Sequence, residues 1–271
     1  MNKEDLHAEI GRLGPWHHKL HITDDIYTNA GPNSDNTGQK VSMLDPIVMM
    51  KDLMQHVLPN GMEGRSFLDC ACNAGGYSFA AKDWGASKTM GFDVRQHWID
   101  QAEFVRTHRD APSDNMAFKQ ADLLDMSFLE PRYDVTWFSG IFYHLPDPVT
   151  VLKNVADRTE ELLMLNTAAT PCAPDTQEVP ALDLKPEGTE QLMSGIYRLA
   201  WAPSGPKVLQ QILAWAGFPE TRLLFWYKNV QRPGANPYGR LALIAARSAG
   251  RLDAVPNAEP RDTLHIRDTA D

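Results

Sequence analysis

Cysteine is scarce in this chain, with 3 in 271 residues, and Cys70 and Cys72 stand one residue apart. So few thiols exclude a disulfide framework, and a C-x-C pair suits no common zinc knuckle. No apolar run approaches the roughly 18 residues that a membrane-spanning helix needs. The first thirteen residues, MNKEDLHAEIGRL, are charged and amphipathic and have no apolar signal-peptide centre. A reducing cytoplasm, without membrane attachment, is the expected setting. Positive charge is also short: the formal net charge is −9. Such a balance provides no general attraction to a phosphate backbone, so nucleic acid is a disfavoured though not excluded partner. Internal repeats and low-complexity blocks are absent. What remains, 43% hydrophobic and 23% charged residues, is the composition of an ordinary globular enzyme.

The rest of the chain is organised around Ser66 to Asp93, read SFLDCACNAGGYSFAAKDWGASKTMGFD. A short apolar segment (Ser66–Cys70) runs into a small-residue turn (Ala71–Gly76). A helical pattern follows over Tyr77–Trp84, and a second apolar segment ends on Asp93. Strand, tight turn, helix and strand make a parallel crossover. Small residues in the first turn let a ligand approach bare backbone, and a carboxylate closing the second strand is placed to hold a ribose diol. A bound nucleoside is expected. The turn lacks the G-x-G-x-x-G spacing of dinucleotide-binding folds, which argues against a nicotinamide cofactor.

Upstream, residues 3–13 predict an amphipathic helix with Leu6, Ile10 and Leu13 inward, and His18–Ile22 a short strand. Thr28–Lys40 reads as a loop, and Asp45-Pro46 opens a helix with Ile47, Met50, Met54 and Val57 buried. Downstream, Gln96–Arg109 is helical, Met116–Asp122 and Tyr133–Ser139 are strands, Asp147-Pro148 caps another helix, and Glu161–Asn166 is a fifth strand. The alternation pauses over Thr167–Ala202, which is rich in proline and acids, and a loop that long is often a lid. Ser204–Trp215 resumes a helix. Thr221–Tyr227 and Arg240–Ala246 then predict two strands paired antiparallel at a sheet edge. The expected fold is α/β: a seven-stranded, mostly parallel Rossmann-like sheet with a terminal antiparallel β-hairpin, helices on both faces and an N-terminal cap. The expected domains are a cap and substrate segment at 1–44, a cofactor-binding domain at 45–249 with a lid insertion at 167–202, and a peripheral tail at 250–271.

Leu68-Asp69-Cys70-Ala71-Cys72-Asn73-Ala74-Gly75-Gly76-Tyr77 resembles the first motif of class I S-adenosylmethionine (SAM) methyltransferases, with Asn73 or Ala74 standing for the usual middle glycine. Ser139-Gly140-Ile141-Phe142-Tyr143-His144-Leu145-Pro146 resembles the segment after strand 4 in one branch of that superfamily. Its members include the enzyme that carboxymethylates the tRNA wobble uridine with a carboxylated SAM, and others that modify small metabolites. Gly14-Pro15-Trp16-His17-His18 and Asp25-Ile26-Tyr27-Thr28 resemble the pre-domain segment of the same branch. The resemblance implies S-adenosyl-L-methionine as cofactor. It would be held by Asp69 near the methionine amine, by the loop of Cys70, Ala71, Asn73, Gly75 and Tyr77 facing its carboxylate and ribose, by Asp93 at the ribose hydroxyls with Val94 beside it, by Trp98 beside the adenosine, by Asp122 and Leu123 at the adenine, and by Ser139 and Gly140.

Methyl transfer is an in-line displacement on a sulfonium carbon, accelerated by positioning and, for a neutral hydroxyl or amine acceptor, by a base. His144 titrates in the right range, and Tyr143 beside it is a cofactor or substrate contact. His17, His18 and His21 invite a metal, but on a strand they divide between two faces and no nearby Cys or Asp completes a site. No metal is expected, and His18 joins Tyr143 and His144 as a candidate contact to the reacting groups. The expected activity is methyl transfer to an O, N or S atom of a small metabolite, releasing S-adenosylhomocysteine. The alternatives are a tRNA wobble-uridine (carboxy)methyltransferase and a non-catalytic SAM-binding protein. The acids of the 167–202 stretch (Asp175, Glu178, Asp183, Glu187, Glu190) disfavour a phosphate-bearing acceptor. Nothing in the sequence sets the oligomeric state, which leaves room for a homodimer.

Overall fold

The computed structural model describes residues 1–28, 54–130, 132–170, 178–227 and 238–257. The chain divides into two compact units, Met1–Ser127 and Phe128–Asp271.

In the first unit, α1 (Lys3–Leu13) buries Leu6, Ile10 and Leu13, the three residues whose spacing predicted it. Asn2 caps it by accepting from the Asp5 N–H at 2.9 Å. Two short antiparallel strands follow, β1 (His21–Thr23) and β2 (Ile26–Tyr27). The alternation predicted from His18 is visible in burial, with His18, Leu20 and Ile22 inward and His17, Lys19 and His21 outward. The ladder itself begins only at His21. The buried Thr28 hydroxyl takes the earlier backbone groups, accepting from Leu20 N at 2.9 Å and donating to the His18 carbonyl at 2.7 Å. Leu6, Ile10, Leu20, Ile22 and Ile26 share one apolar cluster with Ala74, Phe79, Phe104 and Met116, so the N-terminal residues are built into the core of this unit.

The remainder of the unit is β3 (Ser66–Cys70), α2 (Gly76–Asp83), β4 (Lys88–Asp93), α3 (Gln96–His108) and β5 (Met116–Gln120), with β3, β4 and β5 parallel. Gln101 of α3 donates to the carbonyls of Leu13 and Pro15 at 2.7 and 2.9 Å, tying the N-terminal segment down. β5 stops two residues short of Asp122, whose carboxylate instead accepts from Leu124 N at 2.9 Å and turns the chain. Of the helix predicted from Asp45-Pro46, only residues 54–57 are described; they are helical, with Met54 and Val57 buried. The predicted loop at 28–40 lies outside the described residues beyond Thr28.

The second unit carries β6 (Tyr133–Ser139), α4 (Pro148–Asp157), β7 (Thr159–Ala169), β8 (Leu182–Pro186), β9 (Leu199–Pro203), α5 (Pro206–Trp215), β10 (Glu220–Tyr227) and β11 (Gly239–Ala246). Asp147 caps α4 by accepting from Thr150 N at 3.1 Å, with Pro148 in the first turn as predicted. β6 and β7 are parallel, whereas β11 runs antiparallel to both β7 and β10. These strands make a seven-stranded sheet. This is the predicted mostly parallel sheet with its terminal hairpin.

Two predictions need correction in detail. The 167–202 stretch is not structureless: β7 runs on to Ala169, and β8 and β9 pair antiparallel as a separate ribbon. Its prolines obscured the pattern, yet Pro186 and Pro203 sit at the ribbon's ends, where a missing N–H disturbs the ladder least. The first part of the expected peripheral tail is also integral. Leu252 and Val255 are buried, and Asn257 accepts from Leu223 N of β10 at 2.7 Å. Among the described residues no helix is long and apolar enough to cross a membrane.

Candidate functional site

The turn after β3 owes its shape to left-handed backbone at Ala71 (φ 56°), Asn73 (φ 53°) and Gly75 (φ 81°). Glycine and asparagine tolerate that region, whereas alanine there is strained. This explains how Asn73 replaces a glycine, and its side chain also accepts from Ala74 N at 2.7 Å. Gly75 is obligatory, because a β-carbon would lie 2.7 Å from the Phe118 ring. Cys70 and Cys72 are fully buried small apolar fillers, with burial pushing both thiols well up.

Two carboxylates govern this loop. Asp93, at the end of β4, accepts from Asn73 N at 3.1 Å and from Arg95 N at 3.0 Å, one on each oxygen. It is only 6% exposed, and burial raises its pKa despite those bonds. Asp69, at 1% exposure, accepts from the Ser78 backbone N–H and hydroxyl at 3.0 and 2.9 Å. Burial lifts it to about 7, the Ser78 bonds opposing and Asp93 adding to the rise. Among the described residues Asp69 has no cation in ion-pair contact.

The sign of the Asp69 shift makes a prediction. A folded-state pKa above the unfolded value means that the folded protein holds the extra proton between about pH 4 and pH 7. That contribution to stability is complete below pH 4 and is lost as pH rises to about 7. Denaturant unfolding should therefore show the wild type losing stability from pH 5 to 7.5 relative to Asp69→Asn. The difference should approach roughly 1.4 kcal/mol per pH unit within that window.

His18 packs over the start of α2, its ring edge-on to Tyr77 with centroids 5.9 Å apart. It is 8% exposed, its Nδ1 has no hydrogen-bond partner among the described residues, and burial drives its pKa well down, so it is a neutral imidazole. A β-carbon at Gly76 would lie 2.5 Å from that nitrogen. Gly76→Ala should displace His18 and cost about 1–3 kcal/mol in denaturant unfolding; an unchanged midpoint would show that the ring moves aside freely. Of the other predicted cofactor residues in this unit, Trp98 and Leu123 are buried, whereas Val94, Tyr77 and Asp122 are partly exposed.

In the second unit β6 ends at Ser139, and Gly140 follows with φ 76° and open space around its α-carbon. Its N–H donates to the Asn166 carbonyl at 2.8 Å, binding the turn to β7. Phe142–His144 form a 3₁₀ turn in which the Tyr143 and His144 rings pack at a 44° tilt with centroids 3.9 Å apart. Arg240 of β11 donates to Asn166 Oδ1 at 2.8 Å and lies over the Tyr143 ring at 5.5 Å. His144 is buried, and its Nδ1 lies 2.6 Å from Glu187 Oε1. Sequence reasoning singled out His144 but missed Arg240 and Asn166, and it named Glu187 only as one of several loop acids. Of those acids, Glu178 caps α5 by accepting from Lys207 N at 2.7 Å, and Asp183 accepts from the Thr170 hydroxyl at 3.2 Å. Asp175 lies outside the described residues.

Comparison with known proteins gives the same direction. Residues 67–161 match a family described as a methyltransferase domain. A curated relative from Campylobacter curvus, named tRNA U34 carboxymethyltransferase, is 26% identical over 153 residues, 56% of this chain and 45% of that protein. One of the same name from Aliarcobacter butzleri is 31% identical over 88 residues, 32% of this chain and 28% of that protein. The chain thus spans less than half the length of these relatives. Among solved structures, the N-terminal domain of EvdMO1 with S-adenosylhomocysteine bound matches with a TM-score of 0.68 at 17% identity, over 91% of this chain and 97% of that one. Magnesium protoporphyrin IX methyltransferase from Synechocystis PCC 6803 with bound SAM matches with a TM-score of 0.51 at 16% identity, over 77% and 83%. At such identities the structural likeness concerns the fold.

Proposed function

We propose that this chain, with its methyltransferase domain at residues 67–161, transfers a methyl group from S-adenosyl-L-methionine to a small-molecule acceptor. The observation that carries the reading is the pair of buried carboxylates at the ends of β3 and β4, flanking a left-handed small-residue loop. Such a set suits a nucleoside with a cationic amino-acid end. Asp93 would accept from the ribose hydroxyls with acceptor capacity beyond its backbone bonds from Asn73, Arg95 and Val94. Asp69 would balance the ligand's ammonium, and the backbone of residues 71–76 would face its carboxylate. Leu123 and Asp122 would meet the adenine, with Val94, Tyr77 and Trp98 beside the adenosine and Ser139 and Gly140 further along. When bound, the cofactor supplies a methyl carbon on a cationic sulfur. The chain's own residues then position the acceptor, and His144 accepts its proton.

The small-metabolite reading rests on the acidic balance of the chain, −9, which weakens any grip on RNA. A second reading, a tRNA modification, is favoured by the relatives' names. Methyl incorporation from radiolabelled cofactor into a cell extract separates them. Label that survives ribonuclease and passes a small-molecule filter supports the metabolite, whereas ribonuclease-sensitive label sinks it. Absence of any turnover despite cofactor binding would indicate a sensor instead.

A further inference from the structure

The pair formed by His144 and Glu187 lies wholly within the second unit and has a chemistry of its own. Glu187 comes from the ribbon segment after β8, far from His144 in sequence, yet its Oε1 lies 2.6 Å from Nδ1, an ion-pair distance at which the ring N–H is not aimed along a hydrogen bond. The two side chains are only 11% and 15% exposed. Burying a carboxylate is costly unless it is partnered. Lys185 of β8 is placed 3.8 Å over the Tyr238 ring.

Backbone architecture holds this contact in place. Glu187 N donates to the Arg198 carbonyl at 3.0 Å, extending the ribbon by one bond, and Arg198 takes the left-handed φ of 62° that turns the chain back. Gly195 then closes over the pair. A β-carbon there would lie 2.9 Å from His144 Cβ and 3.0 Å from Nδ1, and would run into Glu187 Oε2. On the other side His144 N donates to the Ile141 carbonyl at 2.9 Å, and the Tyr143 ring packs against the imidazole at a tilt.

We propose that Glu187 is the positioning residue of His144 and makes it the base of the methyl transfer, so that the acceptor is a hydroxyl or an amine rather than a thioether. The inference rests on the methyltransferase reading and narrows it. The charge of a carboxylate 2.6 Å from Nδ1 favours the tautomer with the proton there, leaves the Nε2 lone pair to take a proton, and stabilises the imidazolium that forms. In the transfer the acceptor's O–H or N–H proton passes to Nε2. The acceptor lone pair forms the new bond to the methyl carbon, and the carbon–sulfur bond breaks with its electrons going to sulfur. The proton then leaves to water. A thioether has no proton to lose, and a site serving one has no use for a buried base held by an acid.

Among the described residues, these groups face the imidazole. The ribbon offers Glu187, the turn offers Tyr143, and β11 offers Arg240 beyond Tyr143. α4 contributes Asp147 at its cap, bonded to Thr150 N. β9 carries no titratable residue, and the acids of β7, Glu160 and Glu161, pair with Arg132 and Arg251.

The test is a nitrogen-15 NMR titration of the full chain, with the His144 signal identified by its loss in His144→Gln. The expected result is an Nδ1–H tautomer in the wild type and a midpoint that falls by about one pH unit in Glu187→Gln. Labelled-methyl incorporation into a metabolite extract should fall on the order of 10–100-fold in Glu187→Gln, with the KM for SAM unchanged and with partial rescue in Glu187→Asp. An unmoved midpoint, or an Nε2–H tautomer in the wild type, overturns the positioning role. A product methylated on sulfur overturns the acceptor class. Calorimetry with S-adenosylhomocysteine keeps the two layers apart: wild type that fails to bind it refutes the methyltransferase reading, whereas binding with an unmoved midpoint refutes this inference alone.

Discussion

Asp93→Ala abolishes measurable S-adenosylhomocysteine binding in calorimetry: this is the largest effect expected of any single substitution in the chain. Asp93 sits at the tip of β4, buried, with one lone pair on each oxygen taken by the loop and the next turn. The Val94 N–H also bonds to this carboxylate, and each oxygen has further acceptor capacity for a ribose hydroxyl. Two hydrogen bonds from ribose hydroxyls to an ionised acceptor at roughly 1.5–3 kcal/mol each amount to a loss of a hundredfold or more in affinity. Alanine also orphans the Asn73 N–H, which lets the left-handed loop relax away from the geometry that the cofactor requires. The fold survives, since deleting a desolvated carboxylate removes a cost along with the bonds. Asp93→Asn separates the two roles: it keeps an acceptor for Asn73 N and loses the charge, so intermediate affinity is expected. Unchanged affinity in Asp93→Ala would remove the cofactor from the ends of β3 and β4.

The second large effect belongs to His144. His144→Gln is expected to lower turnover by about 10²–10⁴-fold, the range for loss of a general base. Affinity for S-adenosylhomocysteine should change less than twofold, because the cofactor shell proposed above does not depend on this side chain. Glutamine keeps a donor near Glu187 and so spares the turn the penalty of an unpaired buried carboxylate. The split between rate and affinity is the diagnostic part. Equal losses in both would make the Phe142–His144 turn a scaffold element, and no loss in either would leave the histidine a structural bond closing the loop after β6.

Much of this was readable from residue order because it is local. The spacing of Leu6, Ile10 and Leu13 is enough to orient α1, since helical geometry puts them on one stripe whatever the surroundings. Asp147-Pro148 marks the start of α4 for the same reason: a cap and a fixed φ act within one turn. The loop Ala71–Gly76 between two strands, with Asp93 ending the second, is legible because parallel strands impose their crossover. Where local signals conflict, reading fails. The prolines and acids of 167–202 hid the β8–β9 ribbon, and polarity after residue 249 hid the packing of Leu252 and Val255.

By itself, the order of residues determined the α/β alternation, the small-residue turn and the acid at each strand tip, since each depends on neighbours a few positions away. Only the tertiary structure decided which distant groups meet: Thr28 with His18, Gly76 with the His18 ring, Arg240 with Asn166, and Glu187 with His144 under Gly195. A carboxylate in a polar loop has the same composition whether it faces water or an imidazole. Its role is set by the chain reversal at Arg198 and by burial, neither of which leaves a periodic trace in the sequence.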